Sequence, residues 1–138
     1  MTTQGRRGVV ARAGLVAGVI GGAPSTLHAL ATGRDPLEAT LAAGSILLPG
    51  ETHRGRLVAA AVALHLPISV AWALVLDRTN VRGAARGALA GLAIATLDLA
   101  VARRAFPRFR RLPLGPQLAD HALYGAVAGA LISRCDSG

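Results

Sequence analysis

Among the ionisable side chains inside the long apolar runs of the sequence, His28, His65, Asp98 and His121 share one depth. Burying such a group away from water is costly, so each is a functional candidate by default. Three chemistries suit them. Imidazole titrates near neutral pH, and a neighbouring carboxylate can hold it charged, so the set could bind a proton, an ion or a small polar solute. Imidazoles on facing helices can ligate haem or a divalent metal, with His65 and His121 as the pair to use. No single helix offers ligands at i and i+3 or i+4, which leaves that signal unspecific. The plainest reading is interhelical hydrogen bonding, with His28 and Asp98 paired to lock helix register. Ser25, Thr26, Ser69, Thr96, Asp120 and Tyr124 lie beside these four along the same runs. Pro24 and Pro67 each remove a backbone donor nearby, which loosens the helix and frees carbonyls toward the same layer.

Other chemistries find little support. Ser25, His28 and Asp98 can be drawn as a triad, but there is no G-x-S-x-G turn to expose a nucleophile. The glycine-rich run at 14–22 lacks the strand and lysine of a phosphate-binding loop. Enzymatic activity is therefore not the expectation. His53, in GETHRGR, reads as a solvated loop residue. The one cysteine, Cys135, excludes a disulfide framework and reads as an incidental tail thiol.

The elements that must position these groups follow from composition. The chain has 138 residues, enough for one domain. It is 52% hydrophobic but only 3% aromatic, so its apolar mass is Ala, Leu, Val and Gly. A water-soluble core of such small side chains would be thin. Four apolar runs of about 20 residues, each long enough to cross roughly 30 Å of hydrocarbon, predict an all-α four-helix membrane bundle. The runs are 13–32, 57–76, 83–102 and 114–133. The second, with Trp72 near one end, is the clearest; the fourth contains both Asp120 and His121. His28 and Asp98 each lie four residues before the end of their runs, His65 eight and His121 seven residues into theirs. All four thus fall roughly 6 to 12 Å below one membrane surface.

The segments between the runs have their own signatures. Residues 36–48 predict a short helix lying in the interface, with Asp35 as N-cap, Pro36 in the first turn and Glu38 completing a capping box. The net charge is +8 and every basic residue is arginine. Arg103, Arg104, Arg108, Arg110 and Arg111, with Phe106 and Phe109, predict an anchor for anionic lipid headgroups. These arginines sit at the ends of apolar runs rather than in a separate basic domain, so nucleic acid is not an expected partner. Arg6-Arg7, an apolar run and Ala29-Leu30-Ala31 resemble a twin-arginine signal, but the run is long for a signal core. Seven arginines on one side face eight on the other, which sets no orientation; the dense 103–111 cluster favours a cytoplasmic place for that loop.

A weak internal repeat runs through the chain. A shift of 70 places Ala13, Ala17 and Gly21 on Gly83, Gly87 and Gly91, and Thr26-Leu27-His28 on Thr96-Leu97-Asp98. A shift of 56 places His65, Ser69 and Ala73 on His121, Gly125 and Gly129. A duplicated helical hairpin with a pseudo-twofold along the membrane normal is the expectation. Gly14, Gly18 and Gly22, then Gly83, Gly87 and Gly91, then Gly125 and Gly129 form small-residue stripes for close helix approach. Packing within one bundle is preferred for them over a homodimer interface.

With those residues in view, the chain resembles small uncharacterised bacterial membrane proteins with four spans. The likeness rests on GLVAGVIGGAPSTLHAL at 14–30, DPLEAT from 35, GALAGLAIATLD at 87–98 and LADHALYGAVAG at 118–129. The layout is distantly similar to the YagU-like family of inner-membrane proteins, which place a His in the second span and a Gly-His near the last. This chain lacks that family's longer loops and much of its aromatic content. The resemblance implies a multi-pass fold in the bacterial cytoplasmic membrane and no particular activity.

Overall fold

The computed structural model describes residues 2–134, and every regular element in that stretch is helical. Cys135 lies outside the described residues. The helices are α1 (Thr3–Gly21), α2 (Ala23–Ala31), α3 (Glu38–Leu47), α4 (Arg54–Arg78), α5 (Ala84–Ala105), α6 (Pro107–Arg110) and α7 (Leu114–Arg134). Three apolar stretches are long enough to cross a membrane: Thr3–Ala31, Arg54–Arg78 and Ala84–Ala105. The helix α7 is of similar length but carries Gln117, Asp120 and His121.

Local chemistry accounts for the boundaries. Thr2 caps α1 by accepting the Gly5 N–H at 3.2 Å. The first apolar run breaks at Gly22, between α1 and α2. Gly21-Gly22 has little helix preference, and Pro24 in the first turn of α2 has no N–H to give back to α1. The Gly22 N–H turns instead to the carbonyl of Ile20. By contrast Pro67 sits inside α4 without interrupting it. His53 is the N-cap of α4, its side chain accepting the Arg56 N–H at 3.4 Å, rather than a free loop residue. The expected capping box before α3 does not form. Asp35 accepts the Leu37 N–H at 3.0 Å and binds Arg54, while the Glu38 carboxylate turns outward to Arg34 at 2.8 Å. Arg34 takes the Glu38 carboxylate and Asp35 serves the Leu37 N–H and Arg54 instead, so α3 starts two residues after Pro36 with no side-chain cap.

The long helices pack in the order α4, α1, α7, α5. Both α1 and α7 are flanked on two sides, whereas α5 rests on α7 with no substantial contact to α4. At one end α3 packs on α4, where Gly44 lies against the backbone of Leu57, and α6 bridges α5 and α3. Ala42, Ala102, Phe109 and Leu112 form a small core there. At the other end Arg6 clasps Asp77 in two places, 2.6 and 3.2 Å, and Arg82 reaches the same carboxylate at 3.0 Å. That clasp ties the start of α1 to the end of α4.

This order differs from the expected two-fold arrangement. A duplicated hairpin would match the α1·α7 contact with an equal one between α5 and α4, and none of comparable extent is present. The packing register also departs from the 70-residue shift: Gly91 meets α7 at His121, whereas its expected counterpart Gly21 meets Tyr124 of α7 and not α4. At Gly22 the break leaves nothing within 4 Å of an added Cβ.

Side-chain size is inverted relative to a soluble protein. Of the nineteen buried hydrophobic residues among those described ten are alanine, while Val19, Leu27, Leu30, Leu89, Leu97 and Val101 stand more than half exposed. Small residues inside let backbones approach; large apolar ones outside make sense only where the surroundings are themselves apolar.

Candidate functional site

The site forms where the break in the first apolar run meets α4 and α7. A helix end leaves its last four carbonyls and first four N–H groups without intrahelical partners, and a break inside a run creates both kinds at once. The Gly18 carbonyl belongs to the last turn of α1; His65 Nε2, from α4, donates to it at 3.0 Å. A carbonyl can only accept, so Nε2 carries the proton. The Ser25 N–H belongs to the first turn of α2; Asp120 Oδ1, from α7, accepts it at 2.8 Å. Gly22, the N-cap of α2, has no side chain to do this. Two titratable side chains from different helices thus complete the two faces of one break. Their signs suit their places: a carboxylate at a helix N-terminus and an imidazole at a helix C-terminus both oppose the helix dipole.

A second pair adjoins the first. His121 Nδ1 donates to the Gln117 carbonyl at 2.8 Å, which fixes the proton on Nδ1 in the neutral ring. Its Nε2 faces Asp98 Oδ2 at 3.7 Å, an ion-pair distance rather than a hydrogen bond. Asp98 is 36% exposed and His121 23%, so this pair forms the open edge of the layer. Asp120 lies within electrostatic reach of both His121 and His65. Below it the Tyr124 hydroxyl donates to the carbonyl of buried Ser69, linking α7 to α4. Every buried polar side-chain atom among the described residues has a partner.

The structure brings together Ser25, His65, Asp98, Asp120, His121 and Tyr124, and leaves three expected members out. His28 and Asp98 do not pair. They share a depth, but α2 packs on α7 and α3 while α5 packs on the other flank of α7, so α7 stands between them. Half-buried His28 makes no side-chain hydrogen bond among the described residues. Thr26 and Thr96 are exposed and donate to their own helices, to Gly22 O and Leu92 O at 3.0 Å each.

All of the stripe glycines except Gly22 pack against another helix of the same chain. A Cβ on Gly87 would overlap the Gly125 carbonyl, one on Gly91 the His121 carbonyl, and one on Gly125 the Gly87 carbonyl. Gly129 meets Gly83 in the same way, and the Gly83 N–H donates to Gly129 O at 3.0 Å. Gly14 and Gly18 meet Ser69 and Ala73.

No three His, Cys, Asp or Glu side chains converge as a metal site among the described residues. His65 Nε2 and both ring nitrogens of His121 already face protein partners, so the haem or metal alternative draws no support from this arrangement. The arginines of the 103–111 loop divide. Arg103 braces the loop by donating to the carbonyls of Phe109 and Leu112 at 3.1 and 3.0 Å, and Arg108 donates to Glu51 O at 3.1 Å. Arg104, Arg110 and Arg111 point their guanidinium groups to no protein partner among the described residues.

Sequence reasoning missed the backbone members of this site, the Gly18 and Gln117 carbonyls. The GGAP string at 21–24 carries the signal for the first, since any break there must orphan Gly18. Nothing in the sequence flags the second. Comparison with family models, curated proteins and solved structures returned no match for this chain.

Proposed function

We propose that the chain is a multi-pass protein of the bacterial cytoplasmic membrane, a four-span helical bundle with α7 as the fourth span. Its buried layer is a proton-binding site coupled to the broken first span. The exposed leucines and valines around an alanine core support the membrane reading, and the arginines at the helix ends support anchoring to anionic headgroups. One observation carries the functional reading: His65 and Asp120 each complete one side of the same helix break. Adding a proton to Asp120 turns a carboxylate acceptor into a neutral acid and weakens its hold on Ser25; adding one to His65 places a full positive charge at the end of α1. Proton occupancy is thereby written into the geometry between α1 and α2. The His121–Asp98 pair, more exposed, is the route by which a proton reaches the layer. A discontinuous span with polar groups at its break is the arrangement in which membrane proteins bind small charged species. No enzymatic step is assigned.

The test is a pH scan of the protein in lipid nanodiscs, following the Ser25 amide by NMR. The Ser25 amide should shift as the pH is scanned between about 4 and about 8, because its partner is the Asp120 carboxylate. Asp120→Asn should remove the Ser25 response and leave the fold intact. A Ser25 amide that ignores pH across that interval would reduce the layer to a fixed structural lock.

A further inference from the structure

Beyond the layer, the outer surface carries a groove of about 420 Å³ between α5 and the start of α7. Ala95, Thr96, Leu99 and Ala100 form its α5 wall, and Leu114 and Leu118 its α7 wall. It exists because Thr96 and Ala100 are small beside exposed Leu92, Leu97 and Val101 on the same helix. Arg103 and Arg104 stand at its mouth. We infer that this groove holds one acyl chain of an anionic glycerophospholipid, with the lipid phosphate held by Arg104 and Arg103.

Charge chooses the occupant. On this side of the molecule Arg34, Arg54 and Arg56 are neutralised by Glu38, Asp35 and Glu51. No acidic side chain pairs with an arginine of 103–111 among the described residues. Arg103 bonds only neutral carbonyls, which fixes its guanidinium in place and leaves its charge uncompensated. Arg104, one residue on, is exposed and unpaired. A fixed cation and a free one at the end of a dry furrow match a phosphodiester joined to a hydrocarbon tail. A zwitterionic lipid brings its own cation and loses that advantage. Arg103 is at once the brace of the 106–112 turn, so an occupied groove also stiffens the loop between α5 and α7.

This inference rests on the membrane reading above, and the two can fail separately. Native mass spectrometry of the detergent-purified protein would compare phosphatidylglycerol with phosphatidylcholine of the same acyl chains, and with inorganic phosphate as a headgroup without a tail. One phosphatidylglycerol should be retained about tenfold more tightly than phosphatidylcholine. Arg104→Gln should abolish that preference. Ala100→Phe, an outward change that fills the furrow, should weaken both lipids about tenfold. Arg78→Gln, an exposed arginine at the far end of α4, should change neither. Equal retention of the two lipids, full competition by phosphate, or an Ala100→Phe variant that holds phosphatidylglycerol as before would each overturn the site. A chain that stays soluble in buffer without detergent would overturn the membrane reading itself.

Discussion

The α5·α7 pair and the α1·α4 pair are built from the same kind of sequence and do opposite things with it. In α5·α7 glycine meets glycine, and backbone touches backbone along Gly83, Gly87, Gly125 and Gly129. In α1·α4 the glycines of α1 meet Ser69 and His65, and α1 then stops at Gly22. The first pair has no room for adjustment along its glycine contacts, and its ion pair, His121 with Asp98, lies at the more open edge beyond them. The second ends at a break completed by two polar side chains from other helices, His65 of α4 and Asp120 of α7. A tight pair gives α7 a fixed position, and from that position Asp120 and Tyr124 reach across to α2 and α4. The lesson is a division of labour: glycine contacts supply the frame against which a polar break can be set.

Substitutions should separate the two pairs. Gly87→Ala has the largest expected effect, because its Cβ collides with the Gly125 carbonyl and neither backbone can move aside. A loss of about 3 kcal/mol is expected, at the upper end for overpacking, read by reversible unfolding in mixed micelles. Gly18→Ala meets the Ser69 hydroxyl, which can rotate, and the Ser69 Cβ at 2.9 Å, which must shift slightly, and should cost about 2 kcal/mol in the same assay. If the two variants are equally destabilised, the contrast between the pairs is wrong.

Asp120→Ala removes the partner of the Ser25 N–H and should cost about 1 kcal/mol, as the loss of a helix cap does. Hydrogen exchange at Ser25 should accelerate while exchange along α5 stays slow; acceleration spread evenly over both would sink the idea that α5·α7 is an independent frame. Tyr124→Phe should also cost about 1 kcal/mol by deleting the bond to Ser69 O. Gly22→Ala should be neutral or gain a few tenths of a kcal/mol, since Gly22 has ordinary backbone angles and no near neighbour.

The smallest effect concerns the loop that enters α3. Arg54 first, and the Leu37 N–H next, hold the Asp35 carboxyl at about 2, below its ordinary 3.8. A folded-state value below the unfolded one adds stability above about pH 4 that fades as pH falls toward 2. Exposure and salt keep that contribution small. Asp35→Asn should flatten this acid-side decline in melting temperature and leave the behaviour near neutrality unchanged.

Much of the molecule is legible in the chain itself. Helical content, the long apolar segments and the short α3 follow from composition and run length. Gly83, Gly87 and Gly91 announce close packing by their spacing alone. His65, Asp98, Asp120 and His121 declare themselves by being ionisable in apolar surroundings. Partnership is the part that sequence left open. Depth along a helix is additive, 1.5 Å per residue, and could be counted for His28 and Asp98. Azimuth and neighbour order are not additive, and α7 lies between those two helices.

The sequence marked the weak point of the first apolar run, because Pro24 has no N–H to give back to Ile20 and Gly21-Gly22 have little helix preference. It determined too that large apolar residues and arginines would alternate along the chain. Only the tertiary structure decided who repairs the break. Orphaned backbone groups accept any suitable donor or acceptor within 3 Å, and that distance depends on how α4 and α7 stack against α1, set by glycine contacts remote in sequence. His65 and Asp120 occupy those places because the packing of other residues delivers them there.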